Sequence, residues 1–183
     1  RAKASARMIL NMLVGRRAEG VAPATVPVAS LRTPDEPAGL AVTWLGHAGV
    51  LREADGRRVL ADPVWSEYAS PVPRFGPRRL HPPVGPLSAL GSPDVVVISH
   101  DHYDHLDTPT IEALEARAPR YFVPLGVGAH LEYWGVPPDR ITELDWWDEV
   151  EVDGIPVWRV ECVPNAKESR DTGYTKSIVY VRK

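Results

Sequence analysis

The sequence predicts an α/β fold, a mixed sheet with helices on one face. Two patterns carry that expectation. Short β-branched runs crowd residues 41–61, and from residue 94 onward apolar runs alternate with helical segments. The densest group of chemistry-bearing side chains, SHDHYDH at residues 99–105, falls where an apolar run ends and a helix signal begins. Open α/β sheets place their sites at such junctions.

The elements follow in order. Residues 1–20 read as a basic amphipathic helix. Its apolar run, residues 8–14, is too short to cross a bilayer and is broken by Asn11 and followed by Arg16-Arg17, unlike a signal peptide. Packing against its own domain or resting on a membrane surface both suit such a helix. Residues 21–39 are Pro- and Ala-rich and read as an extended lead-in, which divides the chain into a 1–39 lead segment and a 40–183 domain. Strands are predicted at 41–45, 50–53 and 59–61, with a turn at Asp55-Gly56. Eight of the nineteen prolines lie from Pro63 to Pro93, which makes that stretch a long irregular loop. Residues 94–98 read as a buried strand. Thr108 reads as the N-cap of a helix over 110–118, with Pro109 at its first position. A strand at 121–123, a helix at 126–134 stopped by Gly135, and strands at 141–144, 149–152 and 156–162 complete the pattern, the last two joined by a turn at Asp153-Gly154.

Composition excludes several classes. Net charge is −3, so no basic field argues for nucleic acid. The single cysteine, Cys162, rules out an internal disulfide, fits a reducing, cytoplasmic compartment, and reads as a buried strand thiol. Gly126-Val127-Gly128 lacks a third glycine and reads as a helix-entry turn, and there is no GxSxG elbow.

Histidine and carboxylate crowded on one loop make a metal site. They suit zinc, and also manganese or iron. In an extended loop, residues two apart point the same way. His100 and His102 can therefore grip one ion with Asp104 nearby, while His105 turns toward a second. Two ions about 3.5–4 Å apart would share a hydroxide made available near pH 7.

The string SHDHYDH carries the HxHxDH signature and resembles metallo-β-lactamase-fold hydrolases. VTWLGHAGVL (42–51), VLADPVWS (59–66), SPVPRFGPRRLHPP (70–83), VPLGVGAHL (123–131) and ELDWW (143–147) resemble the N-acyl-phosphatidylethanolamine phospholipase D branch. The resemblance implies an αβ/βα sandwich, of which this chain holds mainly the N-terminal half. It implies one or two zinc ions, with His100 and His102 on the first and Asp104 and His105 on the second. Asp104 would serve as the catalytic carboxylate. Asp101 would stand behind the ligands. Asp62 would support a ligating histidine or simply turn the chain before Pro63. His47 and His81 would line the substrate mouth or sit in solvent-facing turns. Trp146 and Trp147 would be core or pocket wall, with at least one in the core. Arg74, Arg78 and Arg79 would be a solvated patch or contact an anionic lipid or phosphate.

The sequence departs from that pattern in places. Lys167 stands where the family has a third histidine for the first zinc. Residues 170–174, RDTGY, resemble the family's GDTGY, whose aspartate bridges both metals, so Asp171 takes that role. The family's stretch between these two segments is missing, and the chain ends before the family's second half. The expectations are an incomplete member that binds metal weakly, turns over little and self-associates through an uncovered sheet face. Three functions remain open: hydrolysis of a small-molecule or lipid phosphodiester; hydrolysis of a lactone or other ester; or an inactive remnant.

Overall fold

The computed structural model describes residues 39–152 and the backbones of 159–164 and 177–182. The predicted N-terminal helix, the Asp153-Gly154 turn, Lys167 and Asp171 lie outside the described residues, as does the Cys162 side chain.

The strands β1 (Leu40–Gly46), β2 (Gly49–Ala54) and β3 (Arg57–Ala61) form an antiparallel meander. Asp55 and Gly56 turn β2 into β3 with both φ angles positive, 52° and 76°, the geometry that Asp-Gly favours in a two-residue hairpin. Strands β4 (Val95–Val97), β5 (Arg120–Pro124) and β6 (Ile141–Leu144) then add in parallel, giving one six-stranded sheet in the order β1 to β6. The sheet is mixed, as the sequence pattern requires.

The parallel strands are apolar on both faces, because both are covered. Val96, Ile98, Tyr121 and Val123 pack with Ile111 and Leu114 of α1 (Thr108–Glu115) and Leu131 of α2 (Gly128–Tyr133). The alternate residues Val95, Val97 and Phe122 pack with Val59, Leu144 and Val152 on the other face. Helices therefore occupy one face. On the opposite face lies a second antiparallel sheet of β7 (Glu149–Glu151), β8 (Arg159–Pro164) and β9 (Ser177–Arg182), with β9 close to β4 and β5. Strand β9 has no counterpart in the sequence reading. At the β1 end of that same face, Leu40, Val42 and Trp44 stay exposed, at 75%, 68% and 59%.

Helix α1 starts at Thr108 with Asp107, not Thr108, in the cap position. The reason is that Asp107 is buried and holds other groups, described below. Helix entry at α2 is fixed by Glu143, whose Oε1 accepts from the Gly126 and Gly128 amides at 2.9 and 2.7 Å. A Cβ at Gly128 would fall 2.6 Å from that oxygen, so a larger residue would push the Glu143 carboxylate off the two amides. Both tryptophans after β6 are surface residues, 42% and 69% exposed, against the expectation that one is core. They sit in a tight turn closed by the Asp145 amide donating to Asp148 Oδ2 at 2.9 Å, and Trp147 has a left-handed φ of 69°.

Candidate metal centre

Parallel pairing builds the site. Ala61 of β3 lies opposite Val97 of β4, so both strands end at the same edge, and the Asp62 amide donates to Val97 O at 2.9 Å. This brings Asp62 to Ser99, at the root of the histidine loop. Asp62 is 7% exposed, with a left-handed φ of 42°. Its Oδ1 accepts from the Ser99 amide and its Oδ2 from the Ser99 hydroxyl, both at 2.7 Å. Oδ2 also lies 2.9 Å from His105 Nδ1. Asp62 is thus joined to a histidine of the loop. Asp101 is exposed and takes no part in this network.

The loop itself is a tight turn. His102 O accepts from the amides of His105 and Leu106 at 2.9 and 2.8 Å, which folds His105 back beneath His100. The His100 ring stands 4.6 Å from that of His102 and 4.0 Å from that of His105. His105 Nε2 faces Asp104 Oδ2 at 3.9 Å. The four residues of the HxHxDH string are therefore brought together.

His47 joins them from the β1–β2 turn. Gly46 and His47 both adopt positive φ, 102° and 49°, and the Trp44 indole donates to His47 O at 2.9 Å. The turn delivers His47 Nε2 to 2.9 Å from Asp104 Oδ2. Donor atoms of His47, Asp104 and His105 all lie within 4.8 Å of one another. Two neutral imidazoles and one carboxylate are the donor chemistry of a divalent transition metal, so the residues fit the group. His105 fits for a second reason: with Nδ1 engaged by Asp62, its other nitrogen faces the cluster.

Electrostatics follow the geometry. Burial pulls the Asp104 carboxyl up, but the charge of His105, a backbone amide and His47 outweigh it and leave it below its usual range. Burial pulls His105 down, and the hydrogen bond and charge of Asp62, with Asp104, outweigh that and leave it raised.

The proline-rich loop forms one wall. His81 Nδ1 lies 2.9 Å from Pro82 O, and its ring stands 5.9 Å from Trp44. A Cβ on Gly46 would meet His81 Cε1 at 2.6 Å and Arg79 Nη2 at 3.0 Å, so this glycine lets the loop close against the hairpin. Arg79 donates to the Val64 and His81 carbonyls, and Arg78 pairs with Glu67. Two of the three loop arginines thus have partners within the protein. Behind them Asp107, 4% exposed, accepts from the Trp65 and Ser66 amides at 3.2 and 3.1 Å and from the Thr110 hydroxyl.

A model of the Beta-lactamase superfamily domain matches residues 57–180, more than half of the chain. The chain belongs to that superfamily. An uncharacterized protein of Mycobacterium tuberculosis (strain ATCC 25618 / H37Rv) is 52% identical over 204 residues, covering 96% of this chain and 54% of that protein. That match is longer than the 183-residue chain, so the relative carries residues within it that this chain lacks. The N-acyl-phosphatidylethanolamine-hydrolyzing phospholipase D 1 of Caenorhabditis elegans is 37% identical over 151 residues, covering 76% of this chain and 42% of that enzyme. The chain spans about half the length of these curated relatives. Among solved structures, Igni18, a metallo hydrolase from Ignicoccus hospitalis, superposes with a TM-score of 0.55 at 20% identity, covering 79% of this chain and 56% of its own. CmlA, a diiron β-hydroxylase from Streptomyces venezuelae, gives 0.58 at 23% identity, covering 82% and 28%. Those two likenesses show the superfamily fold.

The sequence reading put His47 at the substrate mouth or in a turn, and weighed Ser99 only as a nucleophile, rejecting it. Neither position is readable from local pattern: His47 reaches the cluster only through a hairpin, and Ser99 meets Asp62 only through parallel pairing. Among the described residues, no helix is long and apolar enough to cross a membrane.

Proposed function

We propose that the chain carries the metal-binding part of a metal-dependent hydrolase that cleaves phosphodiesters, phospholipase D-like in reaction and acting on a small-molecule or lipid substrate. The observation that supports it most is the convergence of His47, Asp104 and His105 donor atoms within 4.8 Å at the C-terminal edge of the parallel strands. The kinship with the Caenorhabditis elegans phospholipase D narrows the reaction class.

His47, Asp104 and His105 would hold the ion, with His100, His102 and Asp171 as further donors. Zinc is the metal we propose, with manganese and iron as alternatives. When bound, it supplies a Lewis acid for a phosphoryl oxygen and makes water available as a nucleophile near neutral pH. The protein's own groups do the rest. Asp104, hydrogen-bonded to His47, would orient the water and accept its proton. Asp62 keeps His105 from rotating. The wall of Trp44, His81 and the proline-rich loop would set the approach of substrate.

The test is hydrolysis of bis(p-nitrophenyl) phosphate and of N-acyl-phosphatidylethanolamine by zinc-loaded protein, with a lactone and a carboxylic ester in parallel. Phosphodiester turnover that is lost on chelation and in Asp104→Asn supports the reading. Turnover of the lactone or ester alone replaces phosphodiesters with those substrates. Zinc uptake without any turnover supports the inactive remnant.

A further inference from the structure

We propose that Ser99 is a positioning residue: its hydroxyl extends the reach of one carboxylate, Asp62, so that Asp62 sets the orientation and tautomer of two histidines, His100 and His105. This rests on the metal-dependent reading, because its purpose is to present imidazole lone pairs to a cation.

The donor and acceptor roles around Ser99 point to one arrangement. An ionised carboxylate only accepts hydrogen bonds. Asp62 Oδ2 lies 2.7 Å from the Ser99 hydroxyl, so the single hydroxyl proton points to Asp62. The Ser99 oxygen then has only lone pairs left to offer. His100 Nδ1 lies 2.9 Å from that oxygen, so His100 carries its proton on Nδ1 and donates. His105 Nδ1 lies 2.9 Å from Asp62 Oδ2 and 3.3 Å from the Ser99 oxygen. Both are acceptors toward it, so His105 also carries its proton on Nδ1. Each ring is left with an Nε2 lone pair, the form that ligates a metal.

Geometry explains why a serine is needed. Asp62 sits at the end of β3 and holds the Ser99 amide through Oδ1 at 2.7 Å. Its other oxygen is taken by His105, and His100 is reached through the hydroxyl next to it in sequence. The Ser99 amide bond fixes where that hydroxyl can stand. Two rings 4.0 Å apart are thereby locked from below by one buried acid.

The experiment uses the full chain, metal-free and labelled with ¹⁵N-histidine. Long-range ¹H–¹⁵N correlation reads which ring nitrogen carries the proton. The expected result, at a pH high enough to keep both rings neutral, is Nδ1–H at both His100 and His105. In Ser99→Ala, His100 should shift toward the Nε2–H form while His105 keeps Nδ1–H. Ser99→Thr, which retains the hydroxyl, should restore His100. Zinc affinity, measured by competition with a chromophoric chelator, should fall about tenfold in Ser99→Ala and recover in Ser99→Thr. An Nε2–H tautomer at His100 in the unaltered chain overturns the proposal, whether or not the alanine variant folds. So does a His100 tautomer that is the same with and without the hydroxyl. Nδ1–H at both rings in a chain that takes up no zinc upholds the relay and overturns the metal reading instead.

Discussion

Glu53 and Arg58 face each other across the β2–β3 hairpin, and both are buried, at 4% and 5% side-chain exposure. Arg58 Nε donates to Glu53 Oε1 at 2.9 Å, and Gly91 closes over the guanidinium so tightly that a Cβ there would fall 2.5 Å from Nη1. Removing one partner of such a pair strands a buried charge. Glu53→Ala should therefore lower unfolding free energy by about 3–5 kcal/mol in urea titration. A loss under about 1 kcal/mol would show that water reaches Arg58. The Tyr121 hydroxyl is a contrasting case. It is buried and has no hydrogen-bond partner among the described residues. Tyr121→Phe removes a polar group that gains nothing from the fold, so stability should hold or rise slightly, and a clear fall would reveal a partner for the hydroxyl.

At the scale of elements, the long connection between β3 and β4 has little regular structure. Residues 62–94 contain one short 3-10 turn, Leu87–Leu90, and an isolated bridge between Tyr68 and Arg78. Asp107 ties the start of this loop to the first turn of α1 through Trp65, Ser66 and Thr110. Asp107→Ala should cost about 3 kcal/mol, since the lost bonds involve a buried carboxylate. Hydrogen exchange should quicken first at the Trp65 and Ser66 amides. Unchanged protection there would show that the Trp65 indole, which donates to Gly85 O at 2.9 Å, suffices to hold the loop. This anchor also explains the one-residue error in the sequence reading of the helix start. Thr-Pro is a sound local signal, but nothing local to it marks Asp107 as the cap. Its tertiary bonds to a loop forty residues earlier leave no local trace.

Over the whole molecule, the mixed sheet and its helical face were legible because strand and helix periods show in short windows. The HxHxDH string was legible because its members are neighbours in sequence. What was not legible depends on pairing between distant strands: His47 against Asp104, Ser99 against Asp62, and β9 beside β8. A site assembled from three separate segments couples metal to global folding. Zinc at a hundredfold excess over its dissociation constant should stabilise the chain by about 2.7 kcal/mol, seen as a rise in melting temperature that chelation reverses. His105→Ala should abolish that rise, and a rise that survives it would place the ion elsewhere.

His47 holds a left-handed backbone, φ 49°, that a side chain with a Cβ adopts only at a cost. Glycine would sit there without strain. His47→Gly should therefore melt higher, by about 1 kcal/mol of added stability, while binding zinc more weakly. A variant library ranked on thermal resistance alone would enrich that glycine and discard the donor. Ranking the same library on zinc retention would reverse the order, so at this position robustness and chemistry are selected in opposite directions.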